Sequence, residues 1–183
     1  MPFFRITRFL DVDTCRRIRG AMDRGRAEPA EILEDAIALD AEVRRAASIE
    51  VDDETLAEVE QHLDAVRHVI GEAFNLHLAG REGAGFLRYA AGGFYRPHVD
   101  RARVEAWPEA AERAVSVVVF LNGGIDGGEL SLVDDEAHVA PEEGLLVAFD
   151  AGALHQVQPV RAGTRDVIVD WFRFAEAGSS SRR

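Results

Sequence analysis

Lysine is absent from this chain of 183 residues, and all 21 basic side chains are arginine. Schiff-base chemistry and lysine anchoring of anions are thereby excluded, so any carboxylate the protein holds falls to arginine or to neutral donors. Cysteine is nearly absent too. The single Cys15 cannot form an internal disulfide, which fits a reducing compartment. No apolar run approaches the roughly 18–20 residues of a membrane span. Met1 to Leu10, where arginine interrupts Phe and Ile, lacks the apolar core of a secretory signal. A cytoplasmic protein without membrane attachment is expected. Positive charge is also scarce. With 33 acidic residues the formal net charge is −12, which disfavours broad binding to nucleic acid through its phosphates.

What is present suits one domain of ordinary size, since 47% of the residues are apolar. No repeat or internal linker stands out, but the period of the pattern changes midway. Residues 1–80 read as mostly helical. Asp13 is placed to cap a first helix ending at Arg24 and stopped by Gly25. Residues 30–50, with Ile32, Ile37 and Leu39, fit a short helix or a strand. A second helix starts at Asp52 or Asp53, and Leu56, Val59, Leu63, Val66, Ile70 and Phe74 form one apolar face for a sheet to cover.

From residue 84 to 174 the pattern is that of short strands with glycine-rich turns. Expected strands are Phe86–Tyr89, Phe94–Asp100, Val115–Leu121, Glu129–Val133, Leu145–Phe149, Leu154–Val160 and Asp166–Phe174. Many short strands without intervening helices predict an antiparallel sandwich or jelly roll. Residues 175–183, small and polar, are expected to be a disordered tail.

Of six histidines, His62 and His68 lie off the apolar stripe of the long helix and read as surface groups; His77 sits past the end of that stripe and His138 in an acidic turn segment, and both read as structural or exposed. His98 and Asp100 differ, because residues two apart on a strand project from one face. His155 begins another strand. Two imidazoles and one carboxylate can occupy one face of an octahedral metal and leave the other open, the arrangement of non-haem Fe(II) oxygenases. Alone, such a triple arises by chance. Arg165, ten residues after His155, adds a planar fork suited to a carboxylate, inside an apolar run where an unpaired arginine is costly. Tyr89 is placed to donate a phenolic hydrogen bond to the same carboxylate. The segment Arg101–Glu112, with Trp107-Pro108, is either a solvated loop or a lid.

The string from Tyr89 through Gly93-Phe94-Tyr95-Arg96-Pro97-His98-Val99-Asp100 resembles the metal-binding strand of the prolyl 4-hydroxylase-like branch of the Fe(II)/2-oxoglutarate dioxygenases. Ser116 to Asn122, Gly127-Gly128-Glu129-Leu130, Pro141 to Asp150, and Leu154 to Phe172 with Gly163-Thr164-Arg165 continue the resemblance in order. It covers residues 84–174, with residues 1–80 as helical support.

The resemblance implies a double-stranded β-helix, a jelly roll packed against N-terminal helices. His98, Asp100 and His155 would be the iron ligands. Arg165, helped by Tyr89, would hold the distal carboxylate of 2-oxoglutarate, with Tyr95 and Trp171 lining the pocket. Lysine stands at the Arg165 position in many collagen-type relatives, and halogenating relatives lack the Asp100 carboxylate. The implied reaction is O₂-dependent hydroxylation of a C–H bond in a small molecule or a peptidyl, including prolyl, substrate, with release of succinate and CO₂. Ascorbate is a candidate reductant. A cupin-like jelly-roll metal protein or sensor without oxygenase activity would account for the three ligands but not for Arg165.

Overall fold

The computed structural model describes residues 3–33, 37–103, 107–134 and 136–175. In chain order the elements are β1 (Phe4–Ile6), α1 (Val12–Arg24), β2 (Ala27–Pro29), β3 (Ile32–Leu33), β4 (Ile37–Ala38), β5 (Arg44–Arg45), β6 (Ala47–Ile49), α2 (Asp53–Phe74), β7 (Leu78–Arg81), β8 (Gly85–Tyr89) and β9 (Phe94–His98). A short 3₁₀ helix (Pro108–Glu112) leads into β10 (Arg113–Phe120). There follow β11 (Asp126–Gly127), β12 (Leu130–Leu132), β13 (Ala137–Val139), β14 (Leu146–Asp150), β15 (His155–Val157), β16 (Val160–Ala162) and β17 (Arg165–Phe174).

Two antiparallel sheets carry the fold. The larger has eight strands in the order β1-β14-β10-β17-β8-β6-β2, with β7 also on β17; the smaller has the order β13-β12-β15-β9-β5. This is a jelly roll whose sheets are not closed. Alternation along the strands divides the interior in two. On β10, Val115, Val117 and Val119 face the helices, whereas Val118 and Phe120 face the second sheet. On β14, Leu146 and Ala148 take the first side, and Val147 and Phe149 the second. A period of two places successive side chains on opposite faces, so one strand supplies both layers.

The expected face of α2 is the one that packs. Val59, Leu63 and Ile70 are at most 1% exposed, and Leu56, Val66 and Phe74 lie against the same cluster. Each fully buried aliphatic side chain stabilises by roughly 1.5–3 kcal/mol. Asp52 caps this helix by accepting from the Thr55 amide at 2.8 Å.

Several expectations need correction. Asp11, not Asp13, caps α1, accepting from the Thr14 amide at 2.7 Å; Asp13 lies in the first turn. Residues 1–80 are not simply helical, because β1 to β7 lie there and four of them join the large sheet. Residues 30–50 take the strand alternative where described. The strand expected over 154–160 is broken at Gln158-Pro159 into β15 and β16, and β13 was not anticipated. Ala175 is exposed, and the rest of the expected tail lies outside the described residues.

Candidate active site

His98 and His155 are direct partners across the β9–β15 pair, so two short strands bring residues far apart in sequence face to face. Asp100 lies just beyond β9 rather than on it. Its amide and that of Arg101 both donate to Ala151 O, at 3.0 and 2.8 Å, which turns the chain back over the site. One ligand atom from each of His98, Asp100 and His155 lies within 4.8 Å of the others, and no other such group occurs among the described residues. His98 Nε2 is 3.6 Å from Asp100 Oδ1, and His155 Nε2 is 3.4 Å from Asp100 Oδ2.

The imidazoles are oriented through their other nitrogens. His98 Nδ1 meets Arg96 O at 2.8 Å and His155 Nδ1 meets Ala153 O at 2.9 Å. A carbonyl only accepts, so each Nδ1 donates to it and each Nε2 is left facing the shared space. Burial, reinforced by the His155 ring, pushes the His98 imidazole well below its ordinary range, into the neutral form that a metal requires. Burial alone would raise the Asp100 carboxyl. The His155 and His98 rings and the Ser116 hydroxyl outweigh it and keep the group ionised. Ser116 Oγ donates to Asp100 Oδ2 at 2.6 Å. The Trp171 indole N–H is buried without a hydrogen bond of normal geometry, yet it is near enough to favour the ionised carboxylate.

These groups open into a cavity of about 480 Å³ whose lining also includes Tyr89, Tyr95, Trp107, Arg113, Arg165 and Trp171. Arg165, at the start of β17, is 1% exposed, and its Nε and Nη1 find no hydrogen-bond partner. Its guanidinium carbon lies 5.0 Å from the Tyr89 ring and 5.1 Å from the Phe120 ring. Burial pushes the guanidinium down to about 10, which leaves it charged at neutral pH. A buried cation with free donors is expensive unless an anion arrives. Tyr95 stacks on His98 with ring centroids 3.5 Å apart and packs below Arg44. Trp171 stacks on Arg113 at 3.9 Å.

Every residue expected at the site is therefore on this cavity. The remaining histidines are elsewhere: His68 pairs with Glu72 on the surface of α2, His62 meets Phe9, His77 is exposed, and His138 bonds Ser131. The part of the 101–112 segment around 104–106 lies outside the described residues; Trp107 lines the cavity and Arg113 lies 4.9 Å from its ring. Ser116 and Arg113 were not singled out from sequence. Arg113 is 3% exposed, pairs with Glu82 and donates to Asp100 O at 3.0 Å. The signal available was a cation and a hydroxyl in the first four residues of β10, ahead of its apolar run, two polar groups a core strand excludes unless they are bonded.

A family model described as the 2OG-Fe(II) oxygenase superfamily matches residues 84–173. The chain is 35% identical over 103 residues to a PKHD-type hydroxylase of Stenotrophomonas maltophilia (strain K279a), covering 54% of this chain and 46% of that relative. It is 36% identical over 91 residues to a PKHD-type hydroxylase of Maricaulis maris (strain MCS10), covering 47% and 39%. The chain thus spans about half the length, or less, of these curated relatives. Among solved structures, a Pseudomonas putida prolyl-4-hydroxylase superposes with a TM-score of 0.74 at 27% identity, covering 94% of this chain and 92% of that one. A prolyl hydroxylase from Trichoplax adhaerens, in complex with a hypoxia inducible factor peptide fragment, gives a TM-score of 0.77 at 19% identity, covering 99% and 87%; it supports the fold alone.

Proposed function

We propose that this chain, which belongs to the prolyl 4-hydroxylase-like branch of the 2OG-Fe(II) oxygenase superfamily, is an Fe(II)- and 2-oxoglutarate-dependent hydroxylase of a small-molecule or peptidyl substrate. The observation that carries the reading is Arg165. A fully buried guanidinium with unpaired Nε and Nη1, on the cavity that holds the His98–Asp100–His155 cluster, calls for an anion.

The residues fit both groups. Two imidazoles and one ionised carboxylate form a donor set for Fe(II) that leaves positions open. Arg165, with the Tyr89 ring against it, would hold the distal carboxylate of 2-oxoglutarate. When bound, the iron supplies the O₂-activating chemistry by which 2-oxoglutarate becomes succinate and CO₂ and a substrate C–H becomes C–OH. The protein's share is positional. Arg96 O and Ala153 O aim the imidazoles, Ser116 and Arg113 hold Asp100, and Tyr95, Phe149 and Trp171 line the cavity.

The same proposal places the enzyme in the cytoplasm, on the strength of one buried, unpaired Cys15 and no helix able to cross a membrane among the described residues. It gives the protein no nucleic-acid partner, on the strength of its charge, and keeps ascorbate as a candidate reductant.

The test is an anaerobic visible spectrum of metal-free protein to which Fe(II) and then 2-oxoglutarate are added. A weak charge-transfer band that needs both additions is expected. Bound metal without that band, and no succinate in air, would overturn the reading in favour of a cupin-like metal protein.

A further inference from the structure

Asn122 follows β10 and is 8% exposed. Its Nδ2 donates to Thr164 O at 2.7 Å, and its Oδ1 accepts from the Asp166 amide at 2.9 Å. Those two main-chain groups flank Arg165 on either side. One amide side chain therefore straps the backbone that carries the cavity's buried cation. Among the described residues the guanidinium itself has no hydrogen-bond partner at Nε or Nη1, and its ring neighbours are Tyr89 and Phe120. On the opposite face of β17, Asp166 is completely buried. It accepts from Arg88 Nε at 2.7 Å, Arg88 Nη2 at 3.0 Å and Arg19 Nε at 2.9 Å. The strand is pinned from below by Asp166 and at its start by Asn122, which holds the backbone from which Arg165 projects into the cavity.

We infer that Asn122 is a positioning residue for co-substrate binding: it fixes the backbone of Arg165 so that the free donors meet the distal carboxylate of 2-oxoglutarate. This rests on the function proposed above. Its consequence is selective. Asn122 belongs neither to the metal cluster nor to the lining of the cavity, so loss of its bonds should weaken only ligands that need Arg165.

The discriminating variant is Asn122→Asp, which keeps the size and the acceptor for the Asp166 amide but cannot donate to Thr164 O. Dissociation constants are read from the anaerobic charge-transfer band for 2-oxoglutarate and for 2-oxobutanoate, a keto acid without the distal carboxylate, and from Fe(II) titration. The expected result is about a tenfold weakening of 2-oxoglutarate, the size of a lost buried hydrogen bond, with 2-oxobutanoate and Fe(II) affinities unchanged. Asn122→Ala, which loses both bonds, should show a larger split of the same kind and serves if the aspartate variant does not fold. Unchanged 2-oxoglutarate affinity, or equal weakening of both keto acids, overturns the inference and leaves the proposed function standing. A wild-type protein that gives no band with either keto acid overturns the function and this inference together.

Discussion

Arg165 and Tyr89 are cross-strand partners on β17 and β8, with the guanidinium carbon 5.0 Å from the tyrosine ring. A ring face attracts a cation but offers no acceptor in the plane of the N–H groups, so the stacking stabilises the charge without satisfying its donors. The buried guanidinium is therefore an electrostatic cost to the fold, one that the proposed 2-oxoglutarate carboxylate would relieve.

That burden gives the first prediction. Arg165→Met keeps a long side chain and removes the unpaired cation. The variant should melt at a higher temperature than the wild type in the absence of ligand, by about 2–4 °C for each kcal/mol gained in a chain of this size. It should also need at least a hundredfold more 2-oxoglutarate, since the distal carboxylate would lose its partner, a penalty of roughly 3–5 kcal/mol. Thermal scans with and without 2-oxoglutarate check both halves. A lower melting temperature together with an intact response to 2-oxoglutarate would contradict the role given to Arg165.

Ser116 gives the second. Its hydroxyl bonds Asp100 Oδ2 at 2.6 Å from within the apolar β10 strand. Hydrogen bonds that orient a metal's ligands are typically worth 10–100-fold in affinity. Ser116→Ala should weaken Fe(II) binding by about that factor, while Ser116→Thr, which retains the hydroxyl, should keep most of it. Competition titrations against a chromogenic chelator measure this directly. Equal affinity for all three proteins would show that the hydroxyl does not steer the carboxylate.

The candidate site was legible in the sequence where a local pattern and a family resemblance coincided. His98 and Asp100 stand two apart, the resemblance joined His155 and Arg165 to them, and the six-residue apolar stripe of α2 repeats faithfully. Elements formed by long-range pairing were not legible. β1, β2, β5 and β6 have two or three residues each and too little pattern to declare themselves; β1, β5 and β6 exist because β14, β9 and β8 offer edges to pair with, and β2 pairs in turn with β6. Arg113 and Asn122 were missed for a related reason. They lie just outside the two ends of the expected strand Val115–Leu121, and their partners, Glu82 and the Thr164–Asp166 main chain, are some thirty to forty residues away, so each polar side chain reads as surface until those partners are known. Asp100 was placed on the strand because its extended run continues past His98, whereas the bonds to Ala151 O end the ladder there.

Cys15 gives a prediction about pH. It is completely buried on α1, and burial, with Glu143 and Asp11 adding to it, pushes the thiol up from 9.0 to about 11. Between those values the native state keeps a proton that the unfolded chain has lost. The corresponding stability is present below pH 9 and is lost as pH rises towards 11. Denaturant midpoints of wild type and Cys15→Ala should differ by a constant amount below pH 9, from lost packing, and the wild-type advantage should shrink above it. A difference that stays constant through pH 10.5 would show that the native thiol titrates normally.

Two glycines allow backbone strain to be separated from crowding at Arg165. Gly124 and Gly128 both have positive φ, +69° and +74°. Alanine at either position meets the same left-handed penalty, on the order of 1–2 kcal/mol. A Cβ at Gly124 would touch nothing within 4 Å, whereas one at Gly128 would sit 3.1 Å from Arg165 Cδ and 3.2 Å from both Ile125 Cδ1 and Val160 Cγ2. The Arg165 stem lies in a slot that only glycine leaves open, and between Tyr89 and Phe120 it has little room to retreat. Gly124→Ala should therefore lower the melting temperature and leave 2-oxoglutarate affinity alone. Gly128→Ala should lower both, with Fe(II) affinity unchanged, because the displaced guanidinium is on the cavity but not on the metal. If the two variants bind 2-oxoglutarate equally well, the cavity tolerates a shifted arginine and the fit at Gly128 serves only the fold.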